Sequence, residues 1–456
     1  MRRQRPALYT RARWCPSATL ALGVCTVTTI TVLLIGRSVP ALVVIAGVAA
    51  ALASYWLMVT VERRRPSLTL RAVVVSLALV FGAALAAPPR ETGDIWSYAI
   101  YGRMVAFHHA SPYRNVPDDY PQDPMFPLVA PVWQHTGSVY GPVFTAFSAA
   151  VASLAGDSAV RTRLLYQLTA TVAVAGALVL VWRRTRSPAA LAWLGLQPVV
   201  ALQLVNGGRN DAMIGLGVLA AILLVERAKL RTSGLVTGLA AAVKATALLS
   251  GAGVALWLWR RHRLRRAAVF VAASGATLVG AYALAGGTAA LRPLDHATTQ
   301  VSQGSIWEAL PGLGLPMVPT TVAMIVTALV VFVSMGRHTS GDAAEAGIAG
   351  PAAFLLAAPY VLPGYLGWVL PGAALHHRSM SSRIMALQAT LLVGAYALFR
   401  HRLPGTVGDA LTASVGLMTS LLGVILLVTY LAQPRRQTAK GSALERSPTR
   451  SVAETQ

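Results

Sequence analysis

Long apolar runs alternate with short polar segments along almost the whole chain of 456 residues. Many of these runs are about 20 residues long, which is the length that an α-helix needs to cross the hydrocarbon core of a bilayer. We therefore expect an all-α, polytopic membrane protein. The pattern predicts membrane helices near residues 18–36, 40–60, 68–87, 162–182, 188–206, 211–226, 267–287, 317–335, 344–362, 364–376, 384–399 and 410–432.

The composition agrees with a membrane protein, since 55% of the residues are hydrophobic, 12% are charged and the mean hydropathy is +0.58. A net charge of +23 would suggest a nucleic-acid partner in a soluble protein. Here the arginines lie in short clusters between apolar runs, which is typical of cytoplasmic loops. We expect the lipid bilayer as a partner and no nucleic acid. The clusters occupy residues 2–13, 63–65, 183–186, 260–266 and 435–436.

The first apolar run follows five arginines, which is the layout of a signal peptide. The segment Arg37-Ser38-Val39-Pro40 is a poor cleavage site, and another span follows at once. We interpret the run as a retained first helix. Cys15 and Cys25 lie at its edge and inside it, so we expect neither a disulfide framework nor a metal site.

The arginine clusters give a topology if they are held on the cytoplasmic side. It has a basic cytoplasmic N-terminus at residues 1–17, three transmembrane helices within 18–87 and an extracytoplasmic catalytic loop at 88–161. A transmembrane bundle at 162–432 and a disordered cytoplasmic tail at 433–456 follow. Both termini are then cytoplasmic, in a multi-pass protein of the cell membrane.

The loop at 88–161 is rich in proline, aromatic and acidic residues, which favours an ordered surface over a linker. Its segment 140–154 is apolar but short for a span, and a crossing there would place 183–186 outside. We predict an interfacial or re-entrant helix on the external leaflet. The loop holds six of the 16 acidic residues, namely Glu91, Asp94, Asp118, Asp119, Asp123 and Asp157.

A broken helical hairpin is predicted at 233–259. Only about 27 residues separate the basic segments at 226–231 and 260–266, too few for two full crossings of about 20 residues each. Lys244 lies near the tip of this hairpin.

Several ionisable residues fall at external helix ends or at membrane depth, where they are costly and often functional. Asp94 opens the external loop, although it could also cap a helix beginning at Ile95. Asp211 could likewise cap its span, and Lys244 could extend its amine to a headgroup. Asp295 and His296 are best explained as solvated loop residues. Tyr98, Tyr113, Trp133 and Tyr140 could form an interfacial belt or sugar platforms.

A set of motifs in chain order carries a family resemblance. They are Asp94-Ile95-Trp96-Ser97-Tyr98-Ala99, Tyr101-Gly102, Ser111-Pro112-Tyr113, Val132-Trp133, Tyr140-Gly141-Pro142, Asn210-Asp211, Ala240-Ala241-Ala242-Val243-Lys244-Ala245-Thr246-Ala247-Leu248 and Pro359-Tyr360-Val361-Leu362-Pro363-Gly364-Tyr365-Leu366-Gly367-Trp368. Together they resemble the actinobacterial polyprenol-phosphate-mannose-dependent α-1,6-mannosyltransferases. Two positions depart from that pattern: Arg209 stands where histidine is more frequent, and Gly364 replaces an aromatic residue.

The resemblance implies a GT-C-type glycosyltransferase with about 12 to 14 transmembrane segments and a long first extracytoplasmic loop carrying interfacial helices. Its implied reaction is the transfer of mannose, with inversion, from polyprenyl-phosphate-mannose to a growing α-1,6-mannan of lipoglycan type. The active site would then be extracytoplasmic. The implied partners are the polyprenyl-phosphate sugar donor and the mannan or lipoglycan acceptor.

Roles for individual residues follow from that reaction. Asp94 would be the catalytic base that deprotonates the acceptor hydroxyl. Lys244 is the first candidate, and Arg209 the second, to bind the donor phosphate. No cofactor or metal is expected, because the leaving group is a monophosphate and no Asp-x-Asp pair adjoins Asp94. The residues expected to bind sugar or acceptor are Tyr98, Tyr113, Trp133, Tyr140, Asn210, Asp211, Tyr365 and Trp368.

Two alternatives remain open from the sequence. The same scaffold could transfer another polyprenyl-phosphate sugar, such as arabinofuranose or glucose. A polytopic protein with internal lysine, aspartate and a broken hairpin could also be a transporter or flippase for lipid-linked sugars. The long aromatic and acidic first loop argues against a transporter.

Overall fold

The computed structural model describes residues 17–35, 39–292 and 300–434. Within these ranges the chain forms helices joined by turns and short loops, and it contains no strand. The predicted cytoplasmic tail after Pro434 and the basic segment before Ser17 lie outside the described residues, as do Cys15, Asp295 and His296.

The described α-helices differ widely in length. In chain order they are α1 (Ala18–Leu34), α2 (Ala41–Arg64), α3 (Leu70–Ala86), α4 (Asp94–Ala106), α5 (Pro131–Gln134), α6 (Pro142–Ala155), α7 (Ala159–Thr185), α8 (Pro188–Gly195), α9 (Asp211–Glu226), α10 (Leu230–Val243), α11 (Leu248–Arg260), α12 (Leu264–Leu284), α13 (Ala309–Gly312), α14 (Thr320–His338), α15 (Ala343–Ala357), α16 (Leu370–Ala373), α17 (Met380–Arg400) and α18 (Gly405–Leu431).

Six of these helices, α2, α7, α12, α14, α17 and α18, are long and apolar enough to cross a membrane. Five shorter apolar helices accompany them, namely α1, α3, α6, α10 and α15. The prediction of an all-α, polytopic membrane protein is confirmed within the described residues. The number of 12 to 14 crossings stays a prediction.

Large apolar side chains cover the outer faces of three helices. In α12 only 17% of the apolar 18-residue stretch is buried inside the protein. The corresponding share is 28% for α14 and 22% for α18. Phe332 on α14 is 71% exposed and Leu284 on α12 is 93% exposed. Such faces match a lipid environment, where apolar exposure carries no cost.

Two predicted spans are not continuous helices. The run at 188–206 breaks after Gly195, since Pro198 lacks the N–H that a continuing helix would use, and the chain resumes as a π-helical segment, Val200–Val205. The run at 364–376 forms three short helical turns. Its glycines and prolines, which include Gly364 and Pro371, disfavour a regular helix.

Two close approaches hold the loop at residues 88–161, one within the loop and one against the bundle. A Cβ on Gly102 would collide with the Ser148 carbonyl oxygen, so α4 and α6 pack at backbone contact. The Gly141 amide donates to the Val243 carbonyl at 2.9 Å. This second contact places the start of α6 on the C-terminal end of α10, beside Lys244.

Asn206 fixes the point where α3 passes into the loop. Its side chain is fully buried and donates to the carbonyls of Ala84, Ala87 and Pro88 at 3.0 to 3.1 Å. It also accepts from the Arg90 amide at 3.0 Å. These bonds tie the segment before Asp94 to the turn that carries Arg209.

A buried ion pair organises the loop interior. Arg103 on α4 donates through Nε to both oxygens of Asp123 at 2.8 Å, and the Asp123 side chain is fully buried. Asp123 also accepts from the Met125 amide and bonds to His108. A charge-assisted cluster of this kind fixes the loop against α4.

Candidate active site

Asp94 is the first residue of α4, and Gly93 stands at the N-cap position. The Asp94 carboxylate therefore does not cap the helix. Its Oδ2 lies 3.0 Å from Arg209 Nη2. The Thr92 hydroxyl joins the pair, since it accepts from both the Asp94 amide and Arg209 Nη2 at 3.2 Å.

Arg209 lies in the turn between the π-helical segment and α9, and its side chain is 5% exposed. Its Nη1 lies 3.8 Å from Asp211 Oδ2, too long for a hydrogen bond. Nε and Nη1 are buried and have no hydrogen-bond partner among the residues that the structure describes. Burial lowers the pKa of this guanidinium, but Asp94 and Asp211 outweigh burial and raise it. Arg209 is therefore a permanent buried cation between two carboxylates.

Gly364 makes room for that cation. A Cβ at this position would come within 2.5 Å of Arg209 Cδ and Nη1. Any side chain larger than hydrogen would therefore displace the guanidinium from its present place. The location of Arg209, and with it the contact to Asp94, depends on glycine at 364.

Asp211 and Lys244 form the second half of the site. Lys244 is the extended residue that separates α10 from the turn before α11, so its side chain leaves the helical path. Lys244 Nζ donates to Asp211 Oδ1 at 3.0 Å, and Trp368 Nε1 donates to the same oxygen at 2.6 Å. Asp211 is the first residue of α9 and is 1% exposed.

Two aromatic rings cover Lys244. Its Nζ lies 4.0 Å from the centroid of the Tyr365 ring and 4.9 Å from that of Trp368. The two rings stack with centroids 4.6 Å apart and planes at 18°. Because cation–π contacts strengthen where water is excluded, the rings hold the ammonium group in a defined position.

The four charged residues form a series of neighbours in which carboxylates and cations alternate. In order they are Asp94, Arg209, Asp211 and Lys244. Their formal charges cancel, which is what burial of so many ionic groups requires.

Only the first and last of these four charged residues reach a large cavity of about 310 Å³. Asp94 and Lys244 line it, whereas Arg209 and Asp211 do not. Most of the wall is apolar or aromatic. The wall residues are Asp94, Trp133, Thr136, Val139, Tyr140, Lys244, Ala245, Thr246, Gln300, Met324, Phe354, Ala358, Pro359, Tyr360, Leu362, Tyr365 and Trp368.

Of the residues predicted to bind sugar or acceptor, Trp133, Tyr140, Tyr365 and Trp368 line this cavity. The other four do not. Asp211 is buried and accepts from Lys244 and Trp368. Tyr98 lies behind Tyr140, with ring centroids 4.9 Å apart. Tyr113 is buried and bonds to the Thr145 hydroxyl at 2.9 Å. Asn210 is buried, and within the described part of the chain neither polar atom of its side-chain amide has a hydrogen-bond partner.

Three residues of the site were not singled out as site residues from the sequence. Thr92 bridges Asp94 and Arg209, and Tyr360 lines the cavity. The buried hydroxyl of Thr246 has no hydrogen-bond partner in residues 17–35, 39–292 and 300–434. The sequence carried a weak signal for two of them. Tyr360 and Thr246 lie inside the motifs that contain Tyr365 and Lys244, whereas Thr92 shows no pattern beyond its closeness to Asp94.

No group of three or more histidine, cysteine, aspartate or glutamate residues that could hold a metal occurs in the part of the chain that the structure describes. The acidic residues of the candidate site contact arginine and lysine instead.

These features define a multi-pass membrane protein whose loop at residues 88–161 covers a buried site of alternating charges beside an aromatic cavity. Residues 10–261, more than half of the chain, match the family described as alpha-(1->6)-mannopyranosyltransferase, N-terminal domain, and the chain belongs to that family.

Individual relatives agree with the family match. Alpha-(1->6)-mannopyranosyltransferase A of Mycobacterium tuberculosis is 30% identical over 211 residues, which cover 43% of this chain and 38% of that protein. The protein of the same name from Corynebacterium glutamicum is 27% identical over 203 residues, covering 42% of this chain and 39% of that protein. The similarity thus spans about two fifths of the length of these curated relatives.

Proposed function

We propose that the protein is an inverting membrane mannosyltransferase that uses polyprenyl-phosphate-mannose and extends an α-1,6-mannan of lipoglycan type outside the cytoplasm. The observation that carries the proposal is the pair Asp94 and Lys244, one carboxylate and one cation facing the same large cavity. Family membership and the names of the relatives support mannose as the transferred sugar.

Asp94 acts as the base in this proposal. The acceptor hydroxyl gives its proton to the Asp94 carboxylate while its oxygen bonds to the anomeric carbon. The bond from that carbon to the phosphate oxygen breaks on the opposite face, which inverts the configuration. Arg209 Nη2 lies 3.0 Å from one carboxylate oxygen, so it orients Asp94 toward the cavity.

Lys244 meets the departing phosphate. The leaving group gains negative charge as the bond breaks, and a fixed cation stabilises that charge most strongly in a water-poor site. Lys244 is held by Asp211 and by two aromatic rings, so it is preorganised for this contact. Arg209 lies behind Asp94 and does not line the cavity, which favours Lys244 over Arg209 as the phosphate ligand.

The cavity walls suit the two substrates. Aromatic faces such as those of Trp133 and Tyr140 pack against sugar rings, whereas Met324, Phe354 and Leu362 offer an apolar surface to a lipid. Holding donor and acceptor together contributes to the rate through orientation.

Incubation with a panel of donors tests the proposal. Purified protein in bilayer nanodiscs receives a short α-1,6-mannoside and one polyprenyl phosphate carrying labelled mannose, glucose or arabinofuranose. We expect product from the mannose donor alone, with a new α-1,6 linkage. Product from another donor only would overturn the assignment of the sugar. Movement of labelled donor across liposomes, with no product from any donor, would identify a transporter.

A further inference from the structure

Two side chains on the wall of the large cavity carry neutral polar groups to which the proposed reaction assigns no role. Gln300 provides an amide and Tyr360 provides a hydroxyl. Among the cavity-lining residues that the structure describes, Gln300 is the one with an amide side chain. A volume of about 310 Å³ is in the range in which small molecules bind to proteins. A few polar groups on a mostly apolar wall fix the orientation of such a molecule.

Both polar groups are accessible to a ligand. Each side chain is partly buried, and neither polar group hydrogen-bonds to another residue of the described ranges. Neither is closed off from solvent, in contrast to the buried hydroxyl of Thr246. The Gln300 amide and the Tyr360 hydroxyl therefore face open space, and a molecule that enters the cavity can hydrogen-bond to them.

Ser302 holds the two side chains in the same part of the wall. It is 4% exposed, and its amide donates to the Pro359 carbonyl at 2.9 Å. Its hydroxyl donates to the Val361 carbonyl at 3.0 Å and accepts from the Val361 amide at 2.8 Å. Pro359 and Val361 are the chain neighbours of Tyr360, and Gln300 precedes Ser302 by two residues. These bonds therefore bring the segment of Gln300 alongside Tyr360.

The wall that carries Tyr360 extends to both charged ends of the site. The centroid of its ring lies 6.3 Å from that of Tyr365, and the Tyr365 ring covers Lys244 at 4.0 Å. In the same segment, Gly364 packs against the arginine that pairs with Asp94. A sugar bound between Asp94 and Lys244 therefore lies against this wall.

Sugar hydroxyl groups suit these two partners. Each sugar hydroxyl both donates and accepts hydrogen bonds, and so do an amide and a phenol. Mannose and glucose differ only in the orientation of the hydroxyl on carbon 2, a difference that an apolar wall discriminates poorly. A hydrogen-bonding group at a fixed position discriminates better, because the wrong orientation leaves a polar group unpaired.

We propose that Gln300 and Tyr360 bind hydroxyl groups of the transferred sugar and thereby select mannose. Gln300 offers an N–H donor and a carbonyl acceptor, and Tyr360 offers a hydroxyl. The aromatic faces of the wall pack against the carbon skeleton of the sugar, while these two groups recognise its hydroxyls. The inference rests on the proposed function, because it concerns the sugar of the same donor.

A cycle of variants and modified donors tests this inference. Short-chain prenyl-phosphate mannose is compared with donors whose mannose lacks the hydroxyl on carbon 2, 3, 4 or 6. Gln300→Leu and Tyr360→Phe remove the polar groups and keep a similar size. Isothermal titration calorimetry of the full-length protein in micelles measures the Kd of each donor, and transfer to a short α-1,6-mannoside is followed in parallel.

We expect each variant to bind the mannosyl donor about tenfold more weakly than the wild type, the effect of one lost hydrogen bond. Removal of the partner hydroxyl from the donor should have the same effect on the wild type. It should change little in the variant that already lacks the matching group. Prenyl phosphate without a sugar should bind the wild type and both variants equally, because these side chains contact the sugar.

The matched controls are Gln122→Leu, at an exposed position of the loop at residues 88–161, and Tyr282→Phe on α12. Neither residue lines the cavity, so both controls should bind every donor like the wild type.

Three results would overturn the inference. They are wild-type binding of the mannosyl donor by both variants, independent effects of variant and missing hydroxyl at all four carbons, and equal weakening of prenyl phosphate and mannosyl donor. The expected cycle of Kd values without transfer by the wild type would support the sugar contacts and overturn the proposed transferase. No binding of the mannosyl donor would overturn both.

Discussion

Asp94 Oδ2 lies 3.0 Å from Arg209 Nη2, and this ion pair joins the loop at residues 88–161 to the turn that precedes α9. The two residues are 115 positions apart, so the contact exists only in the folded protein. Arg209 packs against Gly364, where a Cβ would collide with the guanidinium. The orientation of the proposed base therefore depends on a glycine that does not touch it.

Gly364→Ala should lower the turnover number by about 100-fold, because displacement of a catalytic group by about 1 Å has effects of that size. The KM for the donor should change little, since Gly364 does not line the cavity. Steady-state kinetics with varied donor would measure both. Gly275→Ala is the control, as a Cβ there meets no atom of the described residues within 4 Å. A normal turnover number for Gly364→Ala would show that transfer does not depend on the position of Arg209.

Lys244→Met should lower the rate of transfer by a few hundredfold, since a preorganised group facing developing charge contributes roughly 3 to 4 kcal/mol. Lys244→Arg should recover part of the rate, because the charge is kept although the shape differs. Single-turnover measurements would follow the chemical step. Lys229→Met, at an exposed position before α10, is the control and should react normally. Unchanged transfer by Lys244→Met would remove Lys244 from the phosphate contact.

The stability of the loop at residues 88–161 should depend on Asp123 far more than on Asp157, although both carboxylates bind Arg103. The Asp123 side chain is fully buried and that of Asp157 is 77% exposed. Removing one partner of a buried pair costs about 3 to 5 kcal/mol, whereas an exposed pair contributes about 1 kcal/mol or less. We expect Asp123→Asn, but not Asp157→Asn, to lower the free energy of unfolding strongly, as measured by limited proteolysis in denaturant. Equal effects would contradict this account of the loop.

The same carboxylate predicts a dependence of loop stability on pH. Burial raises the pKa of Asp123, but bonds from Arg103, Met125 and His108 outweigh burial and lower it below its ordinary value of 3.8. A lowered pKa in the folded state means that Asp123 stabilises the loop above the unfolded pKa. That stabilisation is lost as the pH falls through the folded pKa. Proteolysis of the loop should accelerate in acid for the wild type and show a smaller acid effect in Asp123→Asn.

The regular helices could be predicted from the sequence because membrane helices need only long apolar runs. The segment predicted as 211–226 is the helix Asp211–Glu226. The spans at 188–206 and 364–376 were wrong as continuous helices, since hydropathy does not register the missing N–H of Pro198 or the conformational freedom of Gly364 and its neighbours. Mean hydropathy reports burial or lipid contact, and it says little about the local backbone.

The site shows a different limit. Ionisable side chains are costly at membrane depth, and this cost drew attention to Asp94, Asp211 and Lys244 individually. The sequence did not indicate which charged residues pair with each other. Arg209 was considered a phosphate ligand, whereas in the structure it bridges two carboxylates away from the cavity. Pairings between residues so distant along the chain follow from packing, and a single sequence does not encode them in any local pattern.

Topology can be tested by labelling single cysteines in a variant without Cys15 and Cys25. A cysteine at Asp119, which is exposed in the loop, should react from outside with a membrane-impermeant thiol reagent. A cysteine at Arg184, exposed at the end of α7, should react only after the membrane is opened. Labelling of Arg184→Cys from outside would mean that α6 crosses the bilayer.

The most direct test of the central claim is transfer by Asp94→Asn. Wild type and variant, reconstituted in the same nanodiscs, receive labelled polyprenyl-phosphate-mannose and a short α-1,6-mannoside, and Glu226→Gln, a carboxylate change at the far end of α9, is the control. Loss of a general base lowers rates by about 100-fold to 10,000-fold. We predict a loss of this size for Asp94→Asn, whose thermal stability should stay normal. The control Glu226→Gln should transfer mannose at the normal rate. Wild-type transfer by Asp94→Asn would contradict the account.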